Sequence, residues 1–393
     1  MTVLRTVPDD VRRRAAARGG RPAAGVDRVL LLAVVSLVGL GALLVWSATE
    51  QRLLAAGADP TGYLRRHLVN AALGAVLGTV VALVDPRSLR TWAPLSYVVA
   101  LAGLLAVLTP LGSTVNGARS WLVLPAGFML QPAELAKVAV VVVLALVLVE
   151  RRPGETTAAH EPTSGDVVLG LSLAALPVGL VLLQPDLGTA LVLVVVVLAV
   201  LALAGARARW LVGLLAAGVL VTAAAVQLGV LDDYQVDRFA AFADPALDPR
   251  GVGYNTGQAR IAVGAGGLTG TGLFEGTQTR GRFIPEQQTD FVFTVAGEEL
   301  GFVGAALLLA LLGTVLWRGL RIAARADDLF GRVVAGGVVA WLAFQAFVNV
   351  GMTLGILPVT GLPLPFVSYG GSSMVACLAA VGLLQNVHRG SAR

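Results

Sequence analysis

The chain of 393 residues is poor in charge. Asp, Glu, Lys and Arg make up 13% of it, against 56% hydrophobic residues, where a soluble domain carries about a quarter charged residues. With a mean hydropathy of +0.80, that scarcity excludes an ordinary soluble globule. A single cysteine, Cys377, excludes an internal disulfide. Three scattered histidines, His67, His160 and His388, give no metal-ligand spacing. There is one lysine, Lys137, so nearly all positive charge is arginine. The arginines sit in short segments between apolar runs instead of forming a stripe, which argues against a nucleic-acid partner despite a pI near 10.0.

What is present is a series of long apolar runs, such as Val138 to Leu148 and Leu191 to Leu203. A bilayer core takes about 20 apolar residues per helix. Continuous runs, not alternation, favour helices over a barrel. Ten spans are expected, at about 28–48, 67–84, 91–109, 131–149, 166–183, 187–205, 210–228, 290–317, 332–355 and 371–387. The fold class is therefore an all-α integral membrane protein with a large loop between the seventh and eighth helices. Residues 1–26, Arg-, Ala- and Gly-rich, read as a disordered cytoplasmic tail. Residues 27–389 form the membrane domain, with 229–289 as its extracytoplasmic loop, and 390–393 are a second short tail. The run from Val29 to Ser47 reads as a retained anchor, not a signal peptide. Nineteen arginines fall on the side of the N terminus and nine on the other. This bias predicts that both termini are cytoplasmic.

Ionisable groups inside a membrane are functional candidates. Glu134 and Lys137, three residues apart, share a helix face and can pair. The spacing leaves open whether the pair locks helices together or lies beside a bound headgroup. Asp186, after Gln184-Pro185, is ordinary turn chemistry. Asp290, at the start of the eighth span, reads as a helix cap or as a general base at the membrane face. Glu298 and Glu299 point about 100° apart on a helix, and at least one is expected to pair with an Arg or a backbone group. Val263 to Gly267 has the glycine content of a phosphate cradle but matches no P-loop. The Pro- and Gly-rich stretch Leu357 to Ser373 cannot continue a helix, which predicts a broken or re-entrant segment packed in protein.

Four blocks resemble the SEDS family, the group of RodA, FtsW and SpoVE. They are Asn116 to Trp121 with Gln131 to Lys137, Gln184 to Thr189, Tyr234 to Phe293, and Pro358 to Ser373. They keep the family's order and cover most of the chain, and Pro358 to Phe366 is more similar to the elongation branch. Departures are Gln288 for a frequent His, Thr271 for a Lys, Ala133 for a Ser and His67 for a Gln.

The resemblance implies a peptidoglycan glycosyltransferase that polymerises lipid II at the outer face of the bacterial cytoplasmic membrane and releases undecaprenyl pyrophosphate. Asp290 is then the catalytic residue, deprotonating the acceptor 4-hydroxyl. Arg66 and Arg119 stabilise the leaving diphosphate, and Glu134 and Lys137 line the cavity. Asp186 and Arg250, in the second and third blocks, complete the substrate-binding set. No metal ligands and no certain cofactor are implied; a divalent cation, Mg or Mn, is a candidate for charge stabilisation. The implied partners are lipid II, membrane lipid and a class B penicillin-binding protein. The alternative is a lipid II flippase, which needs a polar path across the whole bilayer, where a polymerase needs a site at one face only.

Overall fold

The computed structural model describes residues 25–115, 118–123, 128–150, 161–229 and 252–391. In chain order the helices are α1 (Arg28–Ala55), α2 (Gly62–Leu83), α3 (Pro86–Leu108), α4 (Pro132–Val149), α5 (Ser164–Leu182), α6 (Leu187–Leu203) and α7 (Ala208–Gln227). They continue with α8 (Val252–Ala265), α9 (Thr277–Gly281), α10 (Val292–Glu299), α11 (Gly301–Arg325), α12 (Leu329–Thr353) and α13 (Gly371–Gly390). Among the described residues, eight helices are long and apolar enough to cross a membrane. The two expected spans beyond these are the sixth, α6, which is apolar but shorter, and the tenth, α13, which is not among the eight. The protein is a multi-span membrane protein, mostly helical, with a helix at every expected span.

The starts of the helices are written in the sequence. Asp27, Asp85, Asp186 and Asp328 each accept a backbone N–H of the first turn of α1, α3, α6 and α12. Thr163 and Asp166 form a capping box on α5. Two sets of contacts define the two faces of the bundle. On the tail face, Arg318 at the end of α11 donates to the Asp27 carboxylate (2.5 and 2.9 Å), and Gln385 of α13 exchanges hydrogen bonds with the Asp27 backbone. Arg90 pairs with Asp328 on the same face. On the opposite, loop face lie the described residues between α3 and α4, those from α8 to α10, and those joining α12 to α13.

Two features of the loop face go beyond the expected spans. The first is a three-stranded antiparallel sheet, β1 (Gly112–Val115), β2 (Ala118–Val123) and β3 (Met129–Leu130), in the order β1-β2-β3. The second is that the eighth span is not one helix. It stops at Glu299 and restarts at Gly301, whose φ is +65°. The glycine-rich segment after α8 replaces the lost intrahelical bonds. Thr271 and Gly272 donate to the carbonyls of Glu298 and Glu299 (3.0 and 3.1 Å). Phe302 and Val303 donate to the carbonyls of Gly267 and Leu268 (2.9 and 3.1 Å). A break at membrane depth is tolerated only when its backbone groups are satisfied this way. Val263 to Gly267 thus serves close packing: a Cβ on Gly266 would stand 1.9 Å from the Gly297 carbonyl oxygen.

The core is a continuous apolar cluster contributed by α1 to α6 and α10 to α13. α7 touches the bundle along α6 and buries none of its side chains. α2 and α13 approach through glycines, as small residues allow in membrane bundles. A Cβ on Gly382 would lie 2.2 Å from the Gly78 carbonyl oxygen. Backbone on both sides cannot yield there, so Gly382→Ala is expected to destabilise the protein by about 1–3 kcal/mol, read as a lowered thermal midpoint of the detergent-solubilised protein. An unchanged midpoint would show that the two helices can part without loss.

Candidate active site

Lys137 and Glu134 lie on the first two turns of α4, where Pro132 starts the helix without needing an N–H partner. Their side chains are 0% and 1% exposed, with Lys137 Nζ 2.7 Å from Glu134 Oε1. Lys137 also donates to Gln345 Oε1 (3.0 Å) and stands 4.9 Å from the centre of the Trp341 ring. The residue spacing left two roles open for the pair; the structure adds that a third helix, α12, completes the charge's surroundings. Toward the tail face the polarity ends. From Val138 to Val149 α4 carries no polar side chain, and α12 has only Val, Ala and Gly from Val333 to Ala340.

Toward the loop face the polarity continues along α12. Trp341, Gln345 and Asn349 recur every four residues on one buried face. The Gln345 oxygen accepts from Lys137 and from Trp341 Nε1 (2.7 Å), and its nitrogen donates to the Pro363 carbonyl (2.8 Å). One turn on, Asn349 Nδ2 donates to two carbonyls, those of Asp290 and Leu362, both at 2.8 Å. The charged centre is thereby tied to the Pro358–Gly370 loop and to the turn bearing Asp290. The sequence holds the signal, Trp-x3-Gln-x3-Asn in an apolar span, but the ionisable residues drew the search and these neutral amides were missed.

Asp290 is half-buried and does not sit as a helix cap. The N-cap of α10 is Phe291, with no side-chain capping bond. The turn is built on Glu286, whose carbonyl receives the N–H groups of Thr289 (3.1 Å) and Asp290 (3.0 Å). A Cβ on Gly361 would lie 3.6 Å from Asp290 Oδ2, so the carboxylate faces the Pro-rich loop at a residue with no side chain. At the other end of that loop Tyr369 N–H donates to the Gln288 carbonyl (2.9 Å). Its phenol packs edge-on against Tyr63 at 4.8 Å and is hydrogen-bonded to Arg66. Burial holds this hydroxyl above the ordinary phenol range, and the Arg66 guanidinium works the other way. Arg66 and Asp290 therefore flank one loop.

The other expected site residues are placed as follows. Asp186 caps α6 and accepts from Gln131 Nε2 (2.9 Å), and Gln131 N–H donates to Ser372 Oγ (2.7 Å), so the carboxylate borders the Glu134–Lys137 centre. Arg119 is joined instead to backbone: its guanidinium donates to the carbonyls of Gly112 (3.3 Å) and Thr109 (2.6 Å) and ties β2 to the end of α3. Arg250, and Asn116 and Gly117 of the first block, lie outside the described residues. Glu298 binds backbone, as one of the glutamate pair was expected to. It accepts from the N–H groups of Gln278 and Thr279 (2.7 and 2.9 Å) at the start of α9. Glu299 accepts from Ser47 Oγ (2.6 Å). Among the described residues no three His, Cys, Asp or Glu assemble a metal-ligand set. The described residues therefore do not by themselves fit a divalent cation.

Removing one partner of a buried ion pair leaves the other charge uncompensated. Lys137→Met is accordingly expected to cost about 3–5 kcal/mol of stability, and Glu134→Gln combined with Lys137→Met to recover much of it. Thermal unfolding of the single and double variants checks this. Equal loss in both would mean that packing, not charge, holds the centre.

Comparisons with known proteins identify the family. The family described as cell cycle protein, that of FtsW, RodA and SpoVE, matches residues 28–393. The peptidoglycan glycosyltransferase MrdB of Escherichia coli (strain K12) is 39% identical over 367 residues, 92% of this chain and 93% of that protein. A solved chain from a study of polymerization and crosslinking by a peptidoglycan synthase complex superposes with a TM-score of 0.75 at 35% identity, covering 93% of this chain and 98% of that one. The crystal structure of the rod shape determining protein RodA of Thermus thermophilus gives 0.66 at 33%, covering 93% and 97%. With a family match over residues 28–393 and 39% identity to a relative across 92% of the chain, the chain belongs to the FtsW, RodA and SpoVE family of SEDS proteins.

Proposed function

We propose that this protein is a peptidoglycan glycosyltransferase that polymerises lipid II into glycan strands, with undecaprenyl pyrophosphate as leaving group. The proposed site is at the outer face of the bacterial cytoplasmic membrane, with both termini in the cytoplasm. The relative's name supports the reaction class. The observation that carries the reading is that a carboxylate, Asp290, and an exposed arginine, Arg66, flank one proline-braced loop at a single face. In this reading Asp290 takes the proton of the acceptor 4-hydroxyl, since a sugar alcohol is a weak nucleophile that gains from a positioned base. The alkoxide oxygen then attacks the anomeric carbon, and the C–O bond to the diphosphate breaks. The charge that develops on the leaving group falls to Arg66, which is exposed and held by Tyr369. Glu134, Lys137 and Asp186 fix the floor of the site. Arg119 holds the hairpin beside it, and Arg250 is assigned to the substrate from the motif alone.

The flippase reading is disfavoured by where the polarity ends. The ladder from Asn349 to Lys137 has no continuation through Val138–Val149 or Val333–Ala340, and a headgroup crossing that half would leave its hydroxyls and charges unpaired in hydrocarbon. For partners, the peptidoglycan synthase complex that contains the structural neighbour supports a class B penicillin-binding protein that crosslinks the new strand.

Purified protein, assayed with lipid II alongside such a partner, tests the reading. Asp290→Asn keeps the volume and removes the base, and is expected to lower glycan polymer formation by about 10²–10⁴-fold. Polymer made by this variant at the wild-type rate would remove Asp290 from the mechanism. Transport of lipid II across vesicles by wild type, without polymer, would favour the flippase.

A further inference from the structure

We propose that Asn349 is the positioning residue for Asp290. The inference rests on the reading of Asp290 as the base. A primary amide has two N–H groups, and both are used: one on the carbonyl of Asp290 itself, one on the carbonyl of Leu362, each at 2.8 Å. Leu362 neighbours Gly361, the residue that faces the Asp290 carboxylate. One side chain thus fixes both the backbone that carries the carboxylate and the loop it faces. Asn349 is fully buried and comes from α12, a 25-residue helix, so the brace stands on a rigid element and not on a loop.

The chemistry of the brace is specific. Two carbonyl oxygens held together repel unless donors lie between them, and a carboxylate or an alkyl group supplies none. Without Asn349 the Asp290 turn keeps its local bonds to Glu286 and the Tyr369 N–H on the Gln288 carbonyl, but it loses the side-chain tie that holds Asp290 itself beside Leu362. Gln345, one turn earlier, holds the same loop at Pro363 while accepting from Lys137. The buried lysine therefore orients an amide that sets the loop, and Asn349 then sets the turn against that loop. This gives the Glu134–Lys137 centre a role in catalysis without contact with the reacting atoms.

The structure contains a matched control. Asn386 on α13 is also buried and also donates through one nitrogen to two carbonyls, those of Val81 (3.0 Å) and Val84 (2.6 Å), but on the tail face. Asn349→Leu and Asn386→Leu should both lower the thermal midpoint. Per folded molecule, Asn349→Leu should lower kcat for lipid II polymerisation by about 10²-fold, the scale of an ångström-sized misplacement, with KM within about twofold; Asn386→Leu should leave both constants unchanged. Asn349→Asp, which keeps the volume and removes the donors, should match Asn349→Leu. Wild-type kcat in a folded Asn349 variant, or an equal fall in the Asn386 variant, would overturn the proposal. So would failure of both Asn349 variants to yield folded protein, which would assign the residue to the fold. Asp290→Asn run in parallel separates the two readings: an active Asp290→Asn removes the base, whereas an inactive Asp290→Asn beside a fully active Asn349→Leu removes only the brace.

Discussion

A lysine sealed from water inside a helical bundle must have its charge answered within a few ångström, and the site is arranged around that answer. Transferring an ammonium group to a low-dielectric interior costs several kcal/mol even after relaxation. Glu134 supplies the opposite charge from the same helix, Gln345 a neutral oxygen from α12, and Trp341 the face of its ring. The arrangement has a directional consequence. Because its oxygen is claimed by the cation and the indole, Gln345 can present only its N–H groups elsewhere, and these meet the Pro363 carbonyl. A buried charge thereby dictates the orientation of an amide, and the amide dictates the course of an irregular loop.

That loop and the broken span obey one rule. Irregular backbone at membrane depth survives where protein groups take over its hydrogen bonds. At Glu298 to Val303 the replacements are backbone groups of the Gly267–Gly272 segment, which must come close enough to need glycine. At Leu362 and Pro363 they are the side chains of Asn349 and Gln345. Both repairs lie on the loop face. The tail half of α4 and α12 needs none, because its helices are regular and its side chains apolar. Irregularity, polarity and the proposed chemistry thus share one half of the molecule.

The sequence announced the regular parts well. The spans and the pairing of Glu134 with Lys137 follow from local rules, apolar length and a three-residue spacing, whereas Asp186, which reads as turn chemistry, is in fact the cap of α6. The break at Leu300–Gly301 was not read, although Glu298 and Glu299 interrupt the apolar run beside it, because the groups that repair it come from the glycine-rich Gly267–Gly272 segment, which reads locally as a loop. Of the two readings left open for Asp290, the cap gives way for a similar reason. The carbonyls and donors that fix it come from Glu286 and from Asn349, and only the first is near in sequence. Arg119 reads as a candidate phosphate ligand by type, yet the carbonyls left at the end of α3 claim it.

The neutral amides were the least visible part and carry the most structure. A search for function in a membrane span weights charge, since a lone carboxylate or ammonium there is hard to explain otherwise. Asn and Gln cost less to bury and so attract less notice, but they both donate and accept. Lys137 donates to Glu134 and to Gln345, and it is Gln345 that carries the contact on to the Pro363 carbonyl. Conversion from ion pair to loop geometry requires a group with both functions at a helical spacing, and Trp341, Gln345 and Asn349 provide that sequence of contacts. On this argument the residues that reach the reaction site from the buried charge are the uncharged ones.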